Sequence, residues 1–276
     1  MTARPPTDPT IARPARVRPR TLLLIGVVVV VVLGLAAGAA GFSYLFLRGP
    51  APAAVGLSSA TPSSATSVDP TATSSASGAA SPSPGGSSST TAGLDGTWNV
   101  DPSVGSFSDF SGSFVGYRVD EELANVGAAT AVGRTPDVTG SLTLAGTTIS
   151  SVEISANLGT LESDKPQRDN QLHRQALETD QFPTATFSLT SPIDLGSVPV
   201  DGQVIQATAT GNLTIHGVTK SVQIPLEARL SGNVVTVTGS IDILFSDYGM
   251  SRPTSFLVLT IADHGTMEFQ LQFTKG

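Results

Sequence analysis

An antiparallel all-β domain, closed or strongly curved, is the fold class that this sequence predicts for its last two thirds. Three features predict it. Apolar and polar residues alternate with period 2 in run after run between residues 113 and 273, the mark of strands with one buried face. Short turn signals, most of them containing Gly, separate the runs, as in consecutive hairpins. Only residues 165–179 carry the punctuation of a helix.

The longest pair of runs lies in QVIQATATGNLTIHGVTKSVQIPLEARL, residues 203–230. Ile205, Ala207, Ala209, Gly211, Leu213 and Ile215 alternate with polar residues, and after His216-Gly217 the pattern resumes with Val222, Ile224, Leu226, Ala228 and Leu230. This reads as one long hairpin. Strands of ten or more residues must tilt and coil to share a core, which suits a barrel better than a small sandwich. The other runs are Val115, Tyr117, Val119; Val138, Gly140, Leu142, Leu144; Val152, Ile154, Ala156, Leu158; and Ala185, Phe187, Leu189. Towards the C-terminus come Val235, Val237, Gly239, Ile241, Ile243, Phe245, then Leu257, Leu259, Ile261, and finally Met267, Phe269, Leu271, Phe273. Eight to ten strands joined by short turns argue for an up-and-down barrel over a parallel α/β fold.

The expected inward face mixes large residues such as Leu213, Ile224, Ile243 and Phe269 with small ones such as Ala207, Ala209, Gly211, Ala228 and Gly239. Such a barrel is either filled by its own side chains or holds one slim ligand, and the pattern fits both. If hollow, its apolar ligand-binding lining is Val152, Ile154, Phe187, Leu189, Ala209, Leu213, Ile224, Leu226, Val237, Ile241, Ile243, Phe269 and Leu271.

The helix, Lys165 to Thr179, has Ser163 or Asp164 as expected N-cap, Pro166 in its first turn and Pro183 beyond its end. Its apolar stripe is only Leu172, Ala176 and Leu177, so it should lie across the barrel surface or mouth. Asp169 and His173 stand four apart on one face with Arg168 beside them. They read either as an acid/base or metal pair or as a local ion-pair network that seats the helix. Asp247 and Tyr248, with Arg252, form a second polar cluster at a strand end, suited either to a ligand's polar head or to a solvated rim.

Ahead of the domain the composition changes twice. Residues 1–20 hold five Arg and five Pro without apolar periodicity, a cytoplasmic tail. Residues 21–47 contain no charge and would form a helix of about 40 Å, enough to cross the ~30 Å hydrocarbon core. The Arg excess before this stretch places the N-terminus inside. A cleaved signal peptide is the competing reading, although its apolar core would be unusually long; both export the C-terminal part. Residues 48–93, dominated by Ser, Thr, Ala, Pro and Gly, read as a flexible linker with a span of about 37 Å. The expectation is a single-pass membrane protein with residues 94–276 as an extracytoplasmic barrel domain.

From residue 94 onward nine Lys or Arg face twenty Asp or Glu, a net charge of −11. A nucleic acid would meet repulsion. There is no Cys, which excludes disulfides and thiolate chemistry. His216 and His264 are each followed by Gly at turns, and no phosphate-cradling loop or Gly-x-Ser-x-Gly elbow is present. No cofactor or metal is expected.

The stretches GNLTIHGVTK (211–220), RDNQLH (168–173) followed by QFPTATF (181–187), FSDYG (245–249) and SFVGYRV (113–119) resemble the YceI-like family. These are exported lipocalin-like barrels that bind polyisoprenoid lipids. The last stretch is also similar to members tethered to actinobacterial membranes. The likeness covers most of residues 96–275; QALETD at 175–180 stands where the family usually carries a Phe-rich stretch. It implies an eight-stranded antiparallel lipocalin-like barrel around an apolar tunnel, an isoprenoid-type lipid as ligand, and no catalytic machinery. The alternative reading is an envelope stress or interaction module, with a filled barrel that binds a protein partner. A hydrolase built on Asp169 and His173 is a third.

Overall fold

The computed structural model describes residues 51–57, 93–124, 126–254 and 258–276. The expected tail, the apolar stretch 21–47 and most of the linker lie outside these residues.

The described residues form thirteen strands: β1 (Gly96–Val100), β2 (Phe114–Leu123), β3 (Gly127–Thr135), β4 (Val138–Ala145), β5 (Thr148–Asn157), β6 (Glu162–Ser163), β7 (Thr184–Leu189), β8 (Ile193–Asp194), β9 (Val204–Ile215), β10 (Val218–Ser231), β11 (Val234–Leu244), β12 (Val258–Ile261) and β13 (His264–Lys275). The ring runs β1-β4-β5-β7-β9-β10-β11-β13, and β13 pairs back onto β1 to close it. All its pairings are antiparallel, giving an eight-stranded closed barrel. β1 and β2 divide one position in the wall: β13 pairs with β2 over Thr266–Gln270 and with β1 over Phe273–Lys275.

The expected hairpin is β9 and β10, paired in unbroken register from Val204↔Arg229 to Ile215↔Val218. Its two-residue turn has positive φ at both His216 (52°) and Gly217 (71°), the geometry whose twist matches the flanking strands. His216 tolerates this because its ring is held on every side. Nδ1 lies 3.1 Å from the Tyr248 carbonyl oxygen, Nε2 lies 3.2 Å from the Glu178 carboxylate, and the ring packs at a 57° tilt against that of Phe182, centroids 4.4 Å apart.

Several expected boundaries shift. The helix is shorter than 165–179: α1 spans Pro166–Gln171 and continues as a wider π turn, Leu172–Ala176. Neither Ser163 nor Asp164 caps it. Lys165 is the N-cap residue, without a side-chain cap, and the Asp169 carboxylate instead accepts from the Ser163 amide (3.0 Å) and hydroxyl (2.6 Å). Leu158 and Phe245 begin short 3-10 turns rather than ending strands. Leu259 is 62% exposed, so its alternation marks no core face. β1, β3, β6 and β8 add to the expected runs.

Two apolar clusters divide the interior. Trp98, Val138, Leu142, Leu144, Ala156, Leu230, Leu271 and Phe273 form one; Leu158, Leu161, Leu177, Ala185, Leu213, Ile215, Ile243 and Tyr248 form the other. Inward glycines sit beneath aromatic rings. A Cβ on Gly239 would lie 2.6 Å from the Phe269 ring directly opposite, and one on Gly211 or Gly133 would collide with the rings of Phe187 and Tyr117. The missing side chains let these rings lie against the wall.

The outer face of β2, β3 and β13 carries a buried ion-pair group. Glu268, 1% exposed, accepts from Arg118 Nε (2.6 Å) and from Arg134 Nη2 (2.6 Å) and Nε (3.0 Å). The Arg134 guanidinium also lies 4.3 Å over each of the Phe110 and Phe114 rings. Arg134 and Glu268 both face Gly116 of the intervening strand, whose Cβ would come within 2.7 Å of the Arg134 side chain. Glycine there clears the path between the two charges. The loop before β2 covers this group, with Gln270 Nε2 donating to the carbonyls of Phe110 and Gly112 at 2.9 Å.

Residues 51–57 fall within the stretch expected to be a linker. Residues 51–57 are seated on this outer face: Arg118 Nη2 donates to the Pro52 carbonyl, Arg134 Nη2 to the Ala53 carbonyl (3.1 Å), and the Leu57 amide donates to Glu227 (3.0 Å), with Leu57 buried.

Removing Glu268 strands the buried Arg134 guanidinium and the half-buried one of Arg118. Glu268→Ala is expected to lower unfolding stability by about 3–5 kcal/mol in urea titration, whereas Asp242→Ala at the exposed Thr266 contact stays within about 0.5 kcal/mol. Gly239→Ala, which pushes the Phe269 ring off the wall, is expected to cost about 1–3 kcal/mol in the same titration.

Candidate functional site: an apolar lumen

Alternate residues of the ring strands point inward and leave a cavity of about 150 Å³. Its lining is almost entirely apolar. Of the thirteen residues expected to form it, ten do: Val152, Ile154, Phe187, Ala209, Leu213, Ile224, Leu226, Val237, Phe269 and Leu271. The other three do not. Ile243 is buried within the second cluster and Ile241 packs against that cluster, while Leu189, the last residue of β7, is half-buried outside the lining.

The sequence reading missed Trp98, Val115, Leu142, Leu144 and Ile149, which line the same space. For Val115, Leu142 and Leu144 the signal was the same alternation in β2 and β4; Ile149 is brought inward out of phase with Val152 and Ile154 by a register shift opposite Thr143 and Leu144, and Trp98 lies in the unanticipated β1. Ile193, Leu195 and Pro199, from β8 and the loop that follows it, also line the cavity. No strand pattern marks them.

The cavity is asymmetric. Leu158, Leu161, Leu177, Ile215 and Tyr248 of the second cluster contribute nothing to the lining, so the helical segment and its neighbours close that end. At the other end, near Pro199, Val200 and Val204 are exposed at 60% and 43%. A helix lying over an open mouth was one expectation; here it packs over the closed end. The void is smaller than the roughly 300–1,000 Å³ of typical small-molecule pockets. It is comparable to an apolar cavity that stays dry and takes a benzene-sized guest. A longer chain requires the lining side chains to move, and the rings of Phe187 and Phe269, which pack against the wall rather than being wedged across it, are placed to do so.

The polar candidates of the helix do not converge on this space. Arg168 donates to Glu121 and Asp164, both at 2.6 Å. Burial alone would lower the Arg168 pKa, but the two carboxylates outweigh it and leave it raised. Glu121 occupies an inward position of β2, 8% exposed, so the pair ties the helix to the barrel's end. Asp169 is committed to Ser163, whereas His173 lies with Nε2 2.9 Å from the Leu161 carbonyl oxygen and Nδ1 3.3 Å from the Thr179 hydroxyl. Asp169 and His173 thus serve different partners, the geometry of a seating network rather than an acid/base pair. Among the described residues, no three His, Asp or Glu side chains are grouped as metal ligands.

The Asp247, Tyr248 and Arg252 cluster also separates. Tyr248 is buried in the second cluster, its phenol pushed up by burial and by the Asp247 charge. Asp247 is exposed, and Arg252 turns away to donate to the Ile261 carbonyl at 3.3 Å.

Comparison with known proteins agrees with this architecture. A UPF0312 protein of Enterobacter sp. (strain 638) is 30% identical over 162 residues, covering 58% of this chain and 77% of the relative. A polyisoprenoid binding domain from Saccharophagus degradans, implicated in plant cell wall breakdown, superposes with a TM-score of 0.50 at 16% identity, over 66% of this chain and 99% of that one. BcnA of Burkholderia cenocepacia is similar at a TM-score of 0.46 and 20% identity, over 63% and 98%. The family model for the YceI-like domain matches residues 98–273, which span the barrel from β1 to β13. The chain therefore belongs to the YceI-like family.

Proposed function

We propose that this protein is a non-enzymatic carrier or sequestering protein for a long apolar isoprenoid-type lipid. It would be held at the extracytoplasmic face of a membrane by the stretch 21–47. The observation that carries the ligand class is the lumen: a closed barrel whose inward residues leave an apolar void instead of packing it full. Water gains little in such a space because it finds few polar partners. An apolar chain gains about 25 cal/mol for each Å² it withdraws from water, less the cost of ordering it.

The similarity to a polyisoprenoid binding domain supports an isoprenoid over a straight acyl chain. The same lumen argues against a hydrolytic role, since Asp169 and His173 lie at the closed end with partners of their own. Loading is expected beside Pro199, Val200 and Val204, where apolar side chains reach solvent. A membrane is the natural source of such a lipid. The uncharged run 21–47 and the Arg-rich residues before it support tethering there.

Trp98 is the single tryptophan, is 2% exposed and lines the cavity, so it should report occupancy directly. Titration of residues 51–276 with a long-chain polyprenol is expected to change Trp98 emission saturably at one equivalent. Ala209→Phe, which places a ring in the void, should weaken that binding at least about tenfold, roughly 1.4 kcal/mol, while the fold persists. A signal that does not saturate, or an unaffected Ala209→Phe, would remove the lumen from the account. For the tether, the full chain should remain with membranes through alkaline carbonate, and its barrel should be cut by protease added outside spheroplasts. Release by carbonate would contradict the anchor alone.

A further inference from the structure

We propose that the outer face of the barrel is a docking site for the chain's own stem, residues 51–57, held in cis by the contacts below.

The seat is built from the barrel's own strands. Glu268 takes one guanidinium from β2 and one from β3, which leaves the group with one positive charge in excess and with unused N–H donors pointing outward. The stem supplies acceptors at these points, the carbonyls of Pro52 and Ala53. Four residues on, its polarity reverses: the Leu57 amide donates to the Glu227 carboxylate of β10, and the Leu57 side chain is 6% exposed. Donors at one end, an acceptor at the other and a buried apolar anchor fix both direction and register of an extended peptide.

The spacing fits. From β2 to β10 the wall crosses three strand intervals, about 14 Å at ~4.8 Å each. Pro52, held by Arg118 of β2, to Leu57 is five residue steps, up to about 17–18 Å when extended, enough for that crossing. Pro50 and Pro52 bias Gly49 and Ala51 toward extended backbone, so the stem loses less freedom on docking than an ordinary coil.

The chain on both sides of residues 58–92 is on the barrel, since Leu57 is bound to Glu227 and the Gly93 carbonyl accepts from Lys275 Nζ at 2.8 Å.

Hydrogen exchange on the full chain in detergent micelles tests this. The amide of residue 57 is expected to exchange at least about tenfold more slowly than in a synthetic peptide of residues 48–60. Leu57→Asp should abolish that difference while moving the barrel's thermal midpoint by no more than a few degrees, and Glu227→Gln should reduce it. Exchange of the Leu57 amide at the free-peptide rate in the unaltered chain would overturn the proposal. So would protection that disappears on dilution together with a dimer in sedimentation, because the stem would then belong to a second copy.

Discussion

Ring closure is the constraint on which the rest of the structure depends. The C-terminal strand β13 pairs along its length with β11 on one side, and on the other with β2 and then β1. An open sheet of these strands would expose two edges and one apolar face. Joining its first and last strands turns that face into a lumen and commits every alternate residue to the inside or the outside. The residues of β13 illustrate the sorting: Met267, Phe269, Leu271 and Phe273 line the cavity, while Glu268, Gln270 and Gln272 organise the outer layer.

Closure alone does not decide whether the inside is full. Here three inward aromatic residues, Phe269, Phe187 and Tyr117, have glycine opposite or diagonally across from them, so their rings pack onto backbone and not across the axis. Volume is taken from the wall and left in the middle. The same device appears on the outside at Gly116, where the absent side chain lets Arg134 reach Glu268. In both places glycine serves less for backbone freedom than for the room it gives a neighbour.

Much of this was legible in the sequence. Alternation located the long hairpin, the inward face of most strands and ten of the residues that line the cavity, because a period of 2 leaves only a choice of face. Where it failed, the physics differed. β3, GAATAVGRT, is too rich in Ala, Gly and Thr to show contrast. Leu259 alternates correctly but belongs to a short strand with no partner layer over it. Glu268, Arg118 and Arg134 occupy outward positions and read as solvated charges; nothing local announces that a loop and a distant stem will bury them. Asp169 and His173 had the spacing of a reactive pair, and only the fold could assign them to Ser163 and Leu161. The stem has the composition of a linker, and its docking depends on side chains 66 to 170 residues away in sequence.

The most direct test is native mass spectrometry of residues 51–276, purified without detergent from a bacterial host and followed by organic extraction of any bound species. A stoichiometric polyprenyl lipid, released only when the barrel unfolds, is the result this account predicts. A clean unliganded mass that stays unchanged after incubation with polyprenols would contradict it, and would make the void a packing feature of a filled barrel.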